Sequence, residues 1–364
     1  MEHIDVAVVG AGVSGLAAAR ATARTGRSVC VLERHRRPGL DTSTHNSGVI
    51  HAGIYHPPGS LKSTLCVRGR QLLYEFCATY GVPHARCGKL IVAADDHERD
   101  QLWPLLANGL ANGVDRLQAV DLAFVAAREP QVHAIAALYS PDSGIIDAEA
   151  YVLALLRSGE DAGLLFLAGS ALVGADPHAD GIVLHTSQES ILAAQVVNAA
   201  GLYADEVSAM LGGEPFTIYP CRGECAAFTP ARRHLVNSLV YPLPHASGHG
   251  LGTHLVRTTG GEVWLGPTIR YQERKDDYEG DRLPVEAFAA PARRLLRDVT
   301  LADLRLGGSG IRAKLHPRTE TFADFLIRRD TANPFIIQAA GIDSPGLTSS
   351  LATGELIARL IADA

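Results

Sequence analysis

The sequence predicts an α/β fold built on a Rossmann-like parallel sheet. Three observations carry that expectation. Residues 4–9 (IDVAVV) form a short, largely β-branched run of the kind a buried parallel strand uses. That run enters Gly10-Ala11-Gly12-Val13-Ser14-Gly15, a GxGxxG, and an Ala- and Leu-rich stretch to Arg24 follows with helical character. Residues 28–32 (SVCVL) then read as a second strand and close on Glu33, 18 residues after Gly15. An acid that meets a ribose hydroxyl stands at a spacing of about 20.

Each part of this unit has its own chemistry. Gly10 makes the turn out of the strand, Gly12 lets a pyrophosphate approach the backbone, and Gly15 permits close packing of helix on strand. The helix N-terminus, at Val13 and Ser14, supplies partial positive charge. The unit therefore predicts dinucleotide binding. Glu33 favours an unphosphorylated adenosine ribose, so FAD or NAD rather than NADP. A nicotinamide domain would continue with further strand–helix units. Residues 38–59 are instead polar and Gly-rich, with Thr42-Ser43-Thr44-His45-Asn46-Ser47-Gly48 at their centre. Small hydroxyl and amide side chains after the ribose acid suit a loop wrapped around a large flat cofactor, as in flavoproteins.

The later elements follow in order. Alternation over residues 49–55 reads as a strand with 49, 51, 53 and 55 on one face. Residues 62–80 read as an amphipathic helix. Residues 193–200, ending in Gly201, and 335–340, ending in Gly341, read as buried strands with a close backbone approach at their ends. Residues 309–315 read as a strand that carries Arg312 and Lys314 on one face. Residues 348–361 read as a last amphipathic helix after Gly346-Leu347, its N-terminus placed to stabilise negative charge on a reduced flavin.

Composition bounds the rest. A chain of 364 residues suggests two or three domains, and without a Pro/Ser-rich linker or a repeat they are interleaved. A net charge of −6 and the lack of a basic stripe argue against a nucleic-acid partner. The six cysteines form no CxxC pair and no zinc set, so no metal is expected and the thiols read as reduced. The opening residues do not read as a signal peptide, and no apolar run reaches the ~18 residues of a membrane span. The expected location is cytoplasmic, with peripheral attachment to the inner membrane left open.

At this point the sequence resembles the FAD-dependent oxidoreductases of the D-amino-acid-oxidase superfamily. Within it, the chain is similar to the L-2-hydroxyglutarate dehydrogenase/oxidase family. The matching segments are THNSGVIHAGIYHPPGSLKSTLCVRGRQLLYEFC (44–77), CGKLIVA (87–93), VNAAGLYAD (197–205), YPCRGE (219–224), LGTHL (251–255), SGIRAKL (309–315) and GIDSPGLTSSLATGE (341–355). The chain departs from that pattern at His56 and Cys225, where Tyr is expected, at Thr268, and over 270–308. The resemblance implies an FAD-binding domain from residues 1–86, 145–215 and 308–364. It also implies a substrate domain from 87–144 and 216–307, an antiparallel sheet with flanking helices.

It implies site residues as well. FAD contacts fall on Gly10, Gly12, Val13, Ser14, Gly15 and Glu33, on Thr44, His45, Asn46 and Ser47 of the loop, and on Ala200, Gly201 and Gly310. They fall also on Gly341, Asp343, Ser344, Pro345, Gly346, Leu347 and Thr348, and Val173 brackets the adenine through its backbone. Arg34 reads either as a contact to the adenosine phosphates or as a surface residue. The family places an arginine over the flavin for the substrate carboxylate, here Arg312, and Lys314 stands beside it; two cations on one strand face can grip a carboxylate. Arg222 is either a second carboxylate contact or structural. His51 and His254 are rival bases for the hydroxyl proton, each with a core-histidine reading beside it. His45 is open between a covalent link to FAD, as in related amine dehydrogenases, and a loop position beside non-covalent FAD. His178, His185, His234, His245 and His249 read as surface residues.

The implied reaction is FAD-dependent oxidation of an L-2-hydroxy acid, L-2-hydroxyglutarate to 2-oxoglutarate, by hydride transfer to flavin N5. The implied partners are that small hydroxy acid and an electron acceptor (a quinone, another carrier or oxygen). The alternatives in the same superfamily are an amine or D-amino-acid oxidase acting on glycine or sarcosine, and a glycerol-3-phosphate oxidase.

Overall fold

The computed structural model describes residues 2–244 and 252–363; His245, His249 and Leu251 lie outside them. Two large sheets organise the chain. In the first, parallel strands Leu164–Ala168, Val29–Glu33, Glu2–Val9, Ser190–Asn198 and Ile336–Ala340 lie side by side in that order. Leu326–Arg329 adds an antiparallel edge, and the hairpin Leu172–His178/Gly181–Thr186 pairs with the early part of Ser190–Asn198. Val29–Glu33 is buried at every position, as a strand covered on both faces must be. Helices Val13–Ala23, Leu61–Tyr80, Ala148–Glu160 and Gly346–Ala362 share one core on this sheet, around Val6, Val8, Val31, Leu16, Tyr151 and Ile357. The short helix Ala204–Met210 covers a second cluster around Val9, Leu32 and Val196.

The second sheet runs Arg270–Tyr271, Tyr219–Phe228, Val263–Gly266, His254–Arg257, Leu239–Pro242, Lys89–Ala93, Ala136–Ser140 and Gln118–Val120. Its pairs are antiparallel except Leu239–Pro242 on Lys89–Ala93, which run parallel. Leu304–Lys314 pairs with Tyr219–Phe228 from Leu304 to Lys314. This strand therefore crosses the domain boundary expected at residue 308, because its hydrogen-bond ladder belongs to the second sheet on both sides of that point. It carries Gly310, Arg312 and Lys314.

The strand expected over residues 49–55 is shorter. Only Val49–Ile50 pairs, with Gly144–Ile146. Beyond it the carbonyls of Gly53, Ile54 and His56 accept from the side chains of Asn108 and Asn112 instead of from a neighbouring strand. Gly53 sits in the left-handed region at φ 105°, which only glycine adopts cheaply. The same-face placement of 49, 51, 53 and 55 therefore fails, and His51 is positioned by other contacts. The six cysteines are free thiols. Among the described residues no helix is long and apolar enough to cross a membrane.

Candidate active site

The GxGxxG segment, loop 42–48, the second sheet and the turn before the last helix together line one cavity of about 1140 Å³. Pockets for drug-sized ligands hold ~300–1,000 Å³, so this one has room for a dinucleotide and a small substrate. At the first helix, Gly12 caps without a side-chain hydrogen bond and the first turn holds no acid. The helix dipole is thus left for an anion. Glu33 braces the turn: one carboxylate oxygen accepts from the Ala11 N–H and the other from the His35 N–H, each at 2.9 Å. Each oxygen keeps a second lone pair. Ser43, which sequence reasoning did not single out, accepts from the Val13 N–H at 3.0 Å.

Bare backbone forms the cradle. A Cβ on Gly12 would come within 2.9 Å of the Ser43 hydroxyl, and one on Gly310 would collide with the His45 carbonyl. The loop side chains mostly hold their own turn. Thr44 donates to the Gly39 carbonyl, Asn46 to the Ser43 carbonyl, and His45 Nδ1–H to the Asp41 carbonyl at 2.8 Å.

Most residues expected at the site line the cavity: Gly10, Gly12, Val13, Ser14, Glu33, Arg34, residues 44–47, Ala200, Gly201, Gly310, Arg312, Lys314, His51, His254 and residues 343–347. Four do not. Gly15 packs beneath the turn, where a Cβ would strike the Gly10 carbonyl. Gly341 lies behind Ile342 and Asp343, which reach the wall. Thr348 is buried; its hydroxyl accepts from the His51 N–H at 3.0 Å and donates to the Val49 carbonyl. It positions His51 rather than facing the cavity. Val173 is 60% exposed and off the wall, which Ser170, Ala171 and Leu172 form instead. The strand's register shifts between Leu172 and Gly174, which turns Val173 outward.

Charged groups concentrate near the second sheet. Arg312 donates only to backbone carbonyls, of Thr268 at 3.3 Å and Cys221 at 3.5 Å, and has no carboxylate partner among the described residues. Lys314 does not join it in one clamp. Its ammonium lies 3.5 Å from Asp343 and 3.3 Å from His316 Nε2. Asp343 also pairs with Lys62 at 2.7 Å. Burial pushes the Asp343 carboxyl up, but Lys62 and Lys314 outweigh it and hold the carboxyl below its ordinary value. Arg34 pairs with Asp41 at 2.9 Å and lies over the Tyr203 ring. Arg222 is buried off the wall, ion-paired with Glu224 at 3.1 Å and donating to the Asp277 and Asp281 carbonyls, which favours the structural of its two expected roles.

The two candidate bases are both held neutral. His254 donates Nδ1–H to the Gly252 carbonyl at 2.8 Å, which leaves Nε2 as an acceptor. Its ring stacks on Tyr241 at 3.7 Å, and burial lowers its pKa to about 3. Burial, then the charge of Lys89, pushes His51 well below its usual value; its Nε2 lies 3.4 Å from the Ser344 hydroxyl. Lys89 was not expected here. It is fully buried behind Tyr241, its ammonium 3.9 Å from that ring. Among the described residues no group of three or more His, Cys, Asp or Glu is placed to hold a metal ion.

Comparison with known proteins identifies the arrangement. The family model for FAD dependent oxidoreductases (DAO) matches residues 5–360. The chain belongs to the FAD dependent oxidoreductase family. It is 35% identical to the mitochondrial L-2-hydroxyglutarate dehydrogenase of Arabidopsis thaliana, over 98% of this chain and 83% of that one. It is 30% identical to the L-2-hydroxyglutarate dehydrogenase of Escherichia coli, over 96% and 91%. Among solved structures, the FAD-bound L-α-glycerophosphate oxidase of Mycoplasma pneumoniae superposes with a TM-score of 0.91 at 26% identity, covering 100% of this chain and 95% of that one. Glycine oxidase from Geobacillus kaustophilus superposes at 0.83 with 23% identity, covering 100% and 95%, which shows the shared fold. FAD is the cofactor of this FAD-dependent oxidoreductase. The chain's own residues fit it: a bare glycine cradle, a helix N-terminus with no acid in its first turn and only its Val13 N–H met by the Ser43 hydroxyl, and Glu33 beside it.

Proposed function

We propose that the enzyme oxidises L-2-hydroxyglutarate to 2-oxoglutarate. The observation that carries the reading is Arg312, a guanidinium in the cavity wall bonded only to carbonyls and so free to take a carboxylate bidentately. The relatives at 30–35% identity support the substrate. FAD, when bound, supplies the acceptor for the hydride that leaves Cα. Arg312 fixes the α-carboxylate and so the orientation of the Cα–H bond, a contribution of proximity rather than of acid chemistry. His51 takes the hydroxyl proton. Its backbone N–H is tied to Thr348 and its Nε2 lies 3.4 Å from the Ser344 hydroxyl, whereas His254 is stacked against Tyr241. The carbonyl forms as proton and hydride depart, so two electrons leave the substrate.

In this reading the cavity-lining residues of the GxGxxG segment, Glu33, loop 44–47, Ala200, Gly201, Gly310 and residues 343–347 hold FAD. The FAD-binding part comprises 1–86, 145–215 and the C-terminal segment, with 87–144 and 216–307 as the substrate part. The reduced enzyme passes its electrons to a quinone, another carrier or oxygen. Six unpaired cysteines suit a reducing compartment, the cytoplasm or the face of an inner membrane.

The test is the visible spectrum of the anaerobic holoenzyme. Bleaching of the flavin by L-2-hydroxyglutarate and not by the D-isomer is the expected result. Bleaching only by sarcosine, glycine, D-amino acids or glycerol-3-phosphate would overturn it.

A further inference from the structure

We propose that Lys62 and Lys314, bridged by Asp343, form a separate subsite for the distal carboxylate of a dicarboxylic hydroxy acid. The inference rests on the hydroxy-acid reading and adds the residues that select a dicarboxylate over a monocarboxylate.

Charge is the first reason. Two ammonium groups share one carboxylate: Lys62 at 2.7 Å and Lys314 at 3.5 Å from Asp343. Within that trio the ammonium groups outnumber the carboxylate by one. Asp324 adds negative charge nearby, but its oxygens are taken by the N–H groups of Leu61, Lys62 and Phe325, and among the described residues it is ion-paired with neither ammonium. The neighbouring His56 and His316 are both pushed below the ordinary histidine value, chiefly by burial, so they stay neutral. Arg312 is a second, independent positive centre without a carboxylate partner among the described residues. A ligand with two negative charges balances both; a monocarboxylate leaves one cation in a low-dielectric wall uncompensated.

Placement is the second reason. Lys62, Lys314, Asp343, His316 and Arg312 line the same cavity. Lys62 is 5% exposed, and its ammonium lies 5.5 Å and 5.4 Å from the rings of Phe322 and Phe325. Such surroundings strengthen its attraction for an anion. Lys62 also sits in the first turn of its helix, where a cation opposes the dipole. The Asp324 carboxylate on the same N-terminus offsets that cost, and the ammonium is left facing the cavity.

Spacing is the third. Arg312 and Lys314 are two residues apart on one strand face, roughly 6.6 Å along the backbone. Four C–C bonds of about 1.5 Å set the carboxyl carbons of a five-carbon diacid about 5 Å apart. Two cations on neighbouring same-face positions therefore suit the two ends of one such molecule better than a shared grip on one carboxylate.

The experiment compares wild-type holoenzyme with Lys62→Met, and with Lys314→Gln as the second variant in case the first does not fold. Steady-state rates are taken with L-2-hydroxyglutarate and L-2-hydroxybutyrate. Dissociation constants for the non-reacting acids glutarate and butyrate are read from perturbation of the flavin spectrum. The expected result is a fall on the order of 100-fold in the preference for diacid over monoacid, carried by KM and not by kcat, with glutarate binding weakened in step. An equal loss for both acids, or an unchanged glutarate-to-butyrate ratio, overturns the subsite. If neither hydroxy acid bleaches the wild-type flavin, the hydroxy-acid reading fails by itself, and the glutarate and butyrate constants still decide the subsite.

Discussion

Replacing Lys89 with Met should make the protein more stable at neutral pH. Lys89 opens strand Lys89–Ala93, is fully buried, and its ammonium has no hydrogen-bond partner among the described residues. Burial lowers its pKa from 10.5 to about 7. At about 1.4 kcal/mol per pH unit that corresponds to roughly 5 kcal/mol against the charged form. The rings of Tyr241 at 3.9 Å and Tyr55 at 5.3 Å face the ammonium. While the amine is charged, at and below about pH 7, these two contacts return about 2–3 kcal/mol; the neutral amine at higher pH has none of it. Lys89→Met, unbranched and of similar length, should therefore gain on the order of 2–3 kcal/mol at pH 7. For 364 residues that is a rise in Tm of about 3 °C. The sign changes with pH in a defined way. Above pH 10.5 both folded and unfolded chains carry neutral lysine, so the penalty vanishes. As pH falls from 10.5 to about 7 the unfolded chain binds a proton that the folded one refuses, and the penalty grows. Thermal unfolding at matched excess FAD, from pH 7 to 10, should show the gain shrink steadily with rising pH. A gain that is constant across that range, or a destabilised variant at pH 7, would refute the account.

Three further outcomes are expected. Gly310→Ala places a methyl group against the His45 carbonyl, so the purified variant should lose most of its yellow colour while keeping its far-UV spectrum; a fully loaded variant would show that loop 42–48 gives way. Arg222→Met leaves the buried Glu224 carboxylate with only Arg282 at 3.6 Å and the Leu283 N–H and should cost about 2–3 kcal/mol of stability, whereas Arg312→Ala should leave Tm nearly unchanged and raise KM on the order of 100-fold; exchanged effects would reverse the two roles. His51→Gln should abolish the pH dependence assigned to the base while His254→Gln keeps it, read from kcat/KM profiles; the opposite pattern moves the base to His254.

The cofactor half of the cavity was legible because its signals are local. Strand, GxGxxG, helix, strand and Glu33 lie within residues 4–33, and each residue's role follows from its neighbours in the chain. The substrate half was legible only in part. Arg312 and Lys314 were readable as two cations on one strand face, but their separation into two centres depends on Asp343 and Lys62, which lie far away in sequence. Lys62 did carry a signal: a lysine in the first turn of a helix with no acid beside it breaks a local electrostatic rule, and such breaks collect at functional sites. Lys89 carried none, since a lysine at the start of an apolar strand ordinarily reads as a solvated end. Alternation over 49–55 misled because the Asn108 and Asn112 side chains supply hydrogen bonds that a sheet neighbour would otherwise give. Val173, expected to meet the adenine through its backbone, lies one residue beyond Leu172 on the cavity wall, at a register shift that alternation alone does not reveal.

In the proposed assignment, strand Leu304–Lys314 ties cofactor and substrate recognition together. Gly310 gives loop 42–48 its clearance, and Arg312 and Lys314, two and four residues on, reach the cavity from the same strand face. The ladder with Tyr219–Phe228 holds Arg312 opposite Cys221 and Lys314 opposite Tyr219. A slip of one residue would send both cations to the other face and press a side chain into the His45 carbonyl in place of Gly310. The register of this one strand therefore sets both the space left beside loop 42–48 and the positions of the two positive centres. Changes in substrate preference are then open to side-chain replacement at positions 62, 312 and 314, while insertions within 304–314 would remove cofactor and substrate binding together.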